Sequence, residues 1–210
     1  DLAMALERHA TSKLRSFDDL DTLATLGFRG EALASISAVS SFAIRSRTED
    51  RPAGTSIRVE FGDRYEPVTV AAPGGTTVSV RDLFGNVPAR RKFLRQPSTE
   101  HGYVGRVVAA YSCAYPQVQF SLTLDGRNVI STNGSGDYLA AASGVFGVEV
   151  GKAALLVEPL EESAAVPGVT VDGWIGAPTV SRSHRQDMIF FVNGRWVQHR
   201  AMSFALEEAY

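Results

Sequence analysis

The feature that most restricts the fold of this chain is the strict alternation of apolar and charged side chains in its first half. Phe42 and Ile44 interleave with Arg45 and Arg47, and Ile57, Val59 and Phe61 with Arg58 and Glu60. A period of two is the signature of a strand with one apolar and one polar face. Strands of this kind pair antiparallel and leave one face to be covered by another layer. Val68 and Val70 continue the pattern, Gly74-Gly75 marks a turn, and Val78 with Val80 shares a face beyond it. The expected class is therefore α+β, with helices packed on a mixed, mostly antiparallel sheet.

Helical periodicity flanks these strands. Leu2, Leu6 and Ala10 follow helical spacing, Ser16 with Asp19 resembles an N-cap, Gly27 can end that helix, and a second helix is expected from Gly30 to about Ser37. The pattern breaks at Arg95-Gln96-Pro97-Ser98, which predicts a boundary between a domain of residues 1–97 and one of residues 98–210. Ser98 can cap a helix with an apolar stripe of Val104, Val107, Val108 and Tyr111. Asp125-Gly126 follows the alternating run Val118, Phe120, Leu122, Leu124, and Asn193-Gly194 separates two further apolar runs, so both predict hairpins. Between them, Tyr138 to Phe146 is expected to be helical, and Ala154 to Glu158 and Val169 to Ile175 extended. The tract from Glu158 to Pro167 is read as an acidic connection, and the segment around Phe204-Ala205-Leu206 as a helix stopped in mid-course.

Composition narrows the function classes. The 210 residues are 44% hydrophobic, with no apolar run long enough to span a bilayer and no signal-peptide pattern, so a cytoplasmic protein without a membrane partner is expected. A single cysteine, Cys113, excludes an internal disulfide framework and a Cys-rich zinc site, and reads as a small buried hydrophobe. The four histidines show no metal-ligand spacing. With a net charge of −2, any nucleic-acid site must be a local patch. Arg90, Arg91, Lys92 and Arg95 form one basic cluster, while Arg182, His184, Arg185, Arg195, His199 and Arg200 scatter positive charge over the second half.

Three segments can carry chemistry. In Gly27-Phe28-Arg29-Gly30-Glu31-Ala32-Leu33, glycines bracket an arginine just before a helix, where unpaired backbone donors can face an anion. The alternative is a glycine-capped helix start with Arg29 in solvent. Arg8-His9-Ala10-Thr11-Ser12-Lys13 gathers hydroxyls and a cation where a loop could fold over a polyphosphate, and Gly75-Thr76-Thr77-Val78 places a hydroxyl at a strand start.

Together these segments resemble the MutL family of DNA mismatch repair proteins, a branch of the ATPase superfamily shared with gyrase-type topoisomerases, heat-shock chaperones and histidine kinases. Arg8 to Lys13, Leu26 to Ile36, Asp82-Leu83-Phe84 and Pro88-Ala89-Arg90-Arg91-Lys92-Phe93-Leu94 stand in the family's order and spacing, and Phe191-Val192-Asn193-Gly194-Arg195 extends the likeness. The resemblance implies part of a two-layer α/β-sandwich ATPase domain followed by a ribosomal-protein-like α/β domain. It implies an ATP lid around Thr11, Ser12 and Lys13, triphosphate contacts from Gly27, Arg29, Gly30, Glu31, Ala32 and Leu33, and a nucleotide-facing hydroxyl at Thr76. ATP and Mg2+ are the implied cofactors.

The implied partners are DNA, held non-specifically by Arg195 and by Arg90 and Arg91, a mismatch-recognition protein of the MutS type, and a second copy drawn in by ATP. In such proteins slow ATP hydrolysis couples mismatch recognition to strand incision. The family's general-base glutamate, magnesium-binding asparagine and adenine-reading aspartate lie upstream of Asp1, and a phosphate-contacting lysine lies beyond Tyr210. No catalytic residue is assigned, and these 210 residues alone are expected not to hydrolyse ATP. The family carries an aromatic residue where this chain has Gly85 and a threonine where it has Val87, a departure expected to loosen that turn. A scaffold that binds DNA or a protein without hydrolysis is the rival reading.

Overall fold

The computed structural model describes residues 2–11, 13, 25–158, 169–180 and 185–209. Two compact units divide the chain, Asp1–Leu94 and Arg95–Tyr210. The expected cap at Ser16, the residue Ser12, the segment 159–167 and Arg182 and His184 lie outside the described residues.

In the first unit, strands β1 (Ser41–Arg47), β2 (Gly54–Glu60), β3 (Asp63–Arg64), β4 (Val68–Val70) and β5 (Gly75–Arg81) form one antiparallel sheet. The order is β3-β2-β1-β5, with β4 also on β2. Register sets Phe42 opposite Val59 and Val80, and Ile44 opposite Ile57 and Val78. All six side chains therefore share one face. Phe42, Ile44, Ile57 and Val59 are buried there with Leu6, and Leu2, Leu33 and Ile36 pack against them. Burying each large apolar side chain contributes about 1.5–3 kcal/mol, and this cluster is the unit's main core. Val78 and Val80, on edge strand β5, stay 46% and 41% exposed.

Helix α1 (Ala32–Ser37) covers this face with a single 3-10 turn at Met4–Leu6. The helical spacing of Leu2, Leu6 and Ala10 thus predicted the inward-facing residues but not the element. His9 adopts φ +63°, which is incompatible with a continuing right-handed helix. Phe61 also departs from its strand pattern. It follows β2 at φ +51°, in the turn to β3.

The second unit opens on a long helix. After α2 (Pro88–Arg91), helix α3 runs Pro97–Ala114 with Gln96 as N-cap and Pro97 in its first turn. Ser98 is therefore inside the helix and not its cap; proline's fixed φ starts the helix one step earlier. The predicted stripe is also rotated. Val104 and Val107 are exposed, whereas Ala110, Ser112 and Cys113 are buried. Both predicted hairpins form: β6 (Ser121–Leu124) turns at Asp125-Gly126 into β7 (Arg127–Ser131), and β10 (Phe190–Val192) turns at Asn193-Gly194 into β11 (Arg195–Val197). Positive φ at both residues of each turn explains the Asx-Gly choice.

Helix α4 (Tyr138–Phe146) is capped by Asp137, whose carboxylate accepts from Leu139 N–H at 2.8 Å. Helix α5 (Val148–Lys152), strands β8 (Ala154–Val157) and β9 (Gly173–Gly176) and helix α6 (Arg200–Ala209) complete the unit. Strand β9 is shorter than predicted and starts at Gly173. Among the described residues no helix is long and apolar enough to cross a membrane.

Candidate functional site

The loop Gly27–Glu31 enters α1 from a left-handed residue, Gly30, at φ +62°. Here the chain makes a close approach. A Cβ on Gly30 would overlap the Ala10 carbonyl oxygen and lie 2.6 Å from its carbon. At Gly27 a Cβ would meet nothing within 4 Å. The two glycines that flank Arg29 thus face different surroundings, one filled by chain and one open.

Glu31 is the N-cap residue of α1, yet its side chain makes no capping bond. Its carboxylate instead lies 3.0 Å from His9 Nδ1. Thr11 Oγ1 accepts from Lys13 N–H at 3.2 Å, which turns the backbone between them. The Arg29 guanidinium sits 5.4 Å from the Phe28 ring centroid, and both Lys13 and Arg29 are exposed. Ala32 is exposed at the helix start, whereas Leu33 packs on the sheet. Thus the structure brings together segment 8–11 and the glycine loop, and leaves two cations in solvent beside them.

The far end of α1 is held just as firmly. The carbonyls of Ser37, Ala38, Val39 and Ser40 accept from Gly62 N–H at 3.1 Å, Asn86 Nδ2 at 3.0 Å, Phe84 N–H at 2.7 Å and Phe61 N–H at 3.0 Å. These donors satisfy carbonyls that a helix end leaves unpaired. A Cβ on Gly85 would lie 2.7 Å from the Phe61 ring, so this glycine makes room for an aromatic from another turn. The space beside Gly85 is thus filled by the Phe61 ring, and Val87 N–H donates to the Phe84 carbonyl at 3.0 Å across the same turn. Sequence reasoning missed Asn86 and Phe61 because their partners are distant in the chain.

Thr76 belongs to a different neighbourhood. Its Oγ1 lies 2.8 Å from Ser46 Oγ, across the register that pairs Ser46 with both Thr55 and Thr76. An open cleft of about 520 Å³ is lined there by Leu2, Ala5, Ile44, Ser46, Thr55 and Thr76, among others, but by none of Gly27 to Leu33. Ser46 and Thr55 were absent from the sequence reading, although their even spacing from Ile44 and Ile57 places them on the same face.

The whole chain aligns with a DNA mismatch repair protein MutL of Desulforudis audaxviator at 44% identity, covering 36% of that relative. A MutL of Heliobacterium modesticaldum is 46% identical, again over 100% of this chain and 31% of the relative. The chain belongs to the MutL family. It spans about a third of the length of these curated relatives. Residues 142–210 match the family model described as DNA mismatch repair protein, C-terminal domain. The fold is similar to the Aquifex aeolicus MutL ATPase domain complexed with ADP, with a TM-score of 0.70 and 29% identity over 93% of this chain and 72% of that one. The α+β class with antiparallel sheets is therefore that of a MutL ATPase domain.

The basic groups of this MutL-family chain fall in both units. Arg90 and Arg91 are exposed on α2, and Arg195 is half-buried at the start of β11. Burial pushes the Cys113 thiol up to about 12, so it is an inert part of the packing.

Proposed function

We propose that the first unit is part of the nucleotide-binding domain of a mismatch repair ATPase, with segment Arg8–Lys13 as the lid and Gly27–Leu33 as the triphosphate loop. The observation that carries this reading is the docking of the two segments: Gly30 against Ala10 and Glu31 beside His9. The fold's likeness to a MutL ATPase domain complexed with ADP supports it. Lys13 supplies a point charge for phosphate, Thr11 a hydroxyl, and Arg29 a guanidinium able to bind phosphate in a fork. The open space at Gly27 lets phosphate approach the backbone. Thr76 is read as a hydroxyl that faces the nucleotide, with Ser46 Oγ 2.8 Å from it.

Magnesium has no evident donor set here. Among the described residues no group of three or more acidic, histidine or cysteine side chains converges, and Glu31 is engaged by His9. No step is routed through the metal, and no residue is assigned to activating water. For the protein at its relatives' length, the reading extends to slow hydrolysis, ATP-dependent self-association, coupling to a MutS-type partner, and DNA contact through Arg90, Arg91 and Arg195. Phosphate contacts of that kind are insensitive to sequence and weaken steeply with salt.

The test is nucleotide titration and ATP turnover by a protein of the relatives' full length carrying these 210 residues, beside an Arg29→Ala variant. Turnover that falls by about tenfold or more in the variant is expected, since a charged hydrogen bond to phosphate is worth about 1.5–3 kcal/mol. Absence of nucleotide binding by the well-folded protein would remove the ATPase reading and leave the DNA or protein scaffold.

A further inference from the structure

Among the described residues β10 and β11 pair only with each other, and an isolated hairpin of this size is marginally stable. Two tyrosines one turn apart near the end of α3 hold it. The Tyr111 ring meets Phe191 edge-on, with centroids 5.5 Å apart, and stacks beside Tyr115 at 6.2 Å. The Tyr115 hydroxyl donates to the Gly194 carbonyl at 2.8 Å, a bond between residues 79 positions apart. A Cβ on Gly194 would lie 2.9 Å from that hydroxyl, and the residue sits at φ +74°, so conformation and space both select glycine there.

The backbone of Tyr115 is itself fixed on both sides. Its N–H donates to the Tyr111 carbonyl at 3.0 Å, and its carbonyl accepts from Val118 N–H at 2.9 Å. The peptide that its hydroxyl grips joins Gly194 to Arg195. Strand alternation sets Arg195 with Val192 on the face of the hairpin opposite to Phe191. A long side chain that must settle on one phosphate loses less freedom on binding when its backbone is already held.

We propose that the Tyr115 hydroxyl is a positioning group for DNA: by holding the Gly194–Arg195 peptide it presents the Arg195 guanidinium to a backbone phosphate. Tyr115 acts through the turn and touches no DNA. The proposal rests on the reading of Arg195 as a phosphate contact.

The experiment measures binding of a mixed-sequence DNA duplex over a range of KCl concentrations, by a protein of the relatives' full length carrying these 210 residues. Tyr115→Phe keeps the ring and removes only the hydroxyl. Its affinity is expected to fall by about three- to tenfold, the equivalent of one hydrogen bond. Its salt dependence should also become shallower, in the direction of Arg195→Ala, where loss of one phosphate contact lowers the slope by about 0.9. In the Arg195→Ala background Tyr115→Phe should add no further loss, because the group it positions is gone. Tyr103→Phe, on the exposed side of the same helix, is the control and leaves affinity and slope unchanged.

A tyrosine that served only stability would weaken both backgrounds alike and leave the slope as it was. Additive losses, or an unchanged slope in Tyr115→Phe, therefore overturn the proposal while Arg195 keeps its phosphate. If Arg195→Ala binds DNA as the wild type does, the phosphate reading of Arg195 fails and the proposal falls with it. Faster amide exchange at Arg195 and Val197 in Tyr115→Phe would then mark the bond as a contact of the fold alone.

Discussion

The two units build their cores from different materials. The first buries large side chains, Phe42, Ile44, Ile57, Val59 and Leu6, on one face of a sheet. Among the described residues, the buried apolar side chains of the second are mostly small: Ala110, Cys113, Ala141, Ala142 and Ala154, with Ile130 the largest. A core of large residues is held by area removed from water, whereas small residues serve by letting backbones approach. The first kind therefore fails by leaving holes and the second by overfilling.

Substitutions can break this contrast, and the largest effect is expected at Phe42. Phe42 is 1% exposed at the centre of the sheet, so Phe42→Ala should destabilise the first unit by about 3–5 kcal/mol. Denaturant unfolding monitored by amide exchange in each unit would check it. A loss below about 1 kcal/mol would show that the sheet face is not the main core. Next comes Ala142→Leu in the second unit, where a fully buried alanine leaves no room and overpacking costs about 1–3 kcal/mol. Val107→Ser, on the exposed side of α3, is the paired control and should change stability by about 0.5 kcal/mol or less. Equal effects of the two would mean that the alanine seam tolerates expansion.

A further effect, confined to high pH, comes from Cys113. Burial raises the folded Cys113 thiol from 9.0 to about 12, so above pH 9 the unfolded chain loses a proton that the folded one keeps. Stability from this group is complete below pH 9 and falls as pH rises toward 12, by about 1.4 kcal/mol per unit at most. Comparing wild type with Cys113→Ala between pH 8 and 10 should show the slope only in the wild type. The same slope in both would relocate it to other groups.

The contrast also explains what could be read from sequence. Strand alternation around Phe42 and Ile57 and the Asx-Gly turns were legible because each is a local rule: a side chain every second residue, or a left-handed pair between strands. On α3 the valine spacing points to the wrong face, because close packing at that helix selects Ala110 and Cys113 as the inward residues. At the candidate site the order of segments is plain from the sequence, but the reason for Gly85 lies in the Phe61 ring, whose partner position is distant in the chain.

Local chemistry alone thus determined the one-sided sheet, both hairpins, helix α4 and the identity of the segments that bear charge and glycine. Tertiary structure alone decided which neighbour each glycine meets, that Glu31 faces His9, that Thr76 lies with Ser46 in a separate cleft, and that Asn86 secures the end of α1. The physical reason is range. Periodicity and turn propensity are set by residues a few positions apart, whereas a missing Cβ has meaning only against the atom that fills its place.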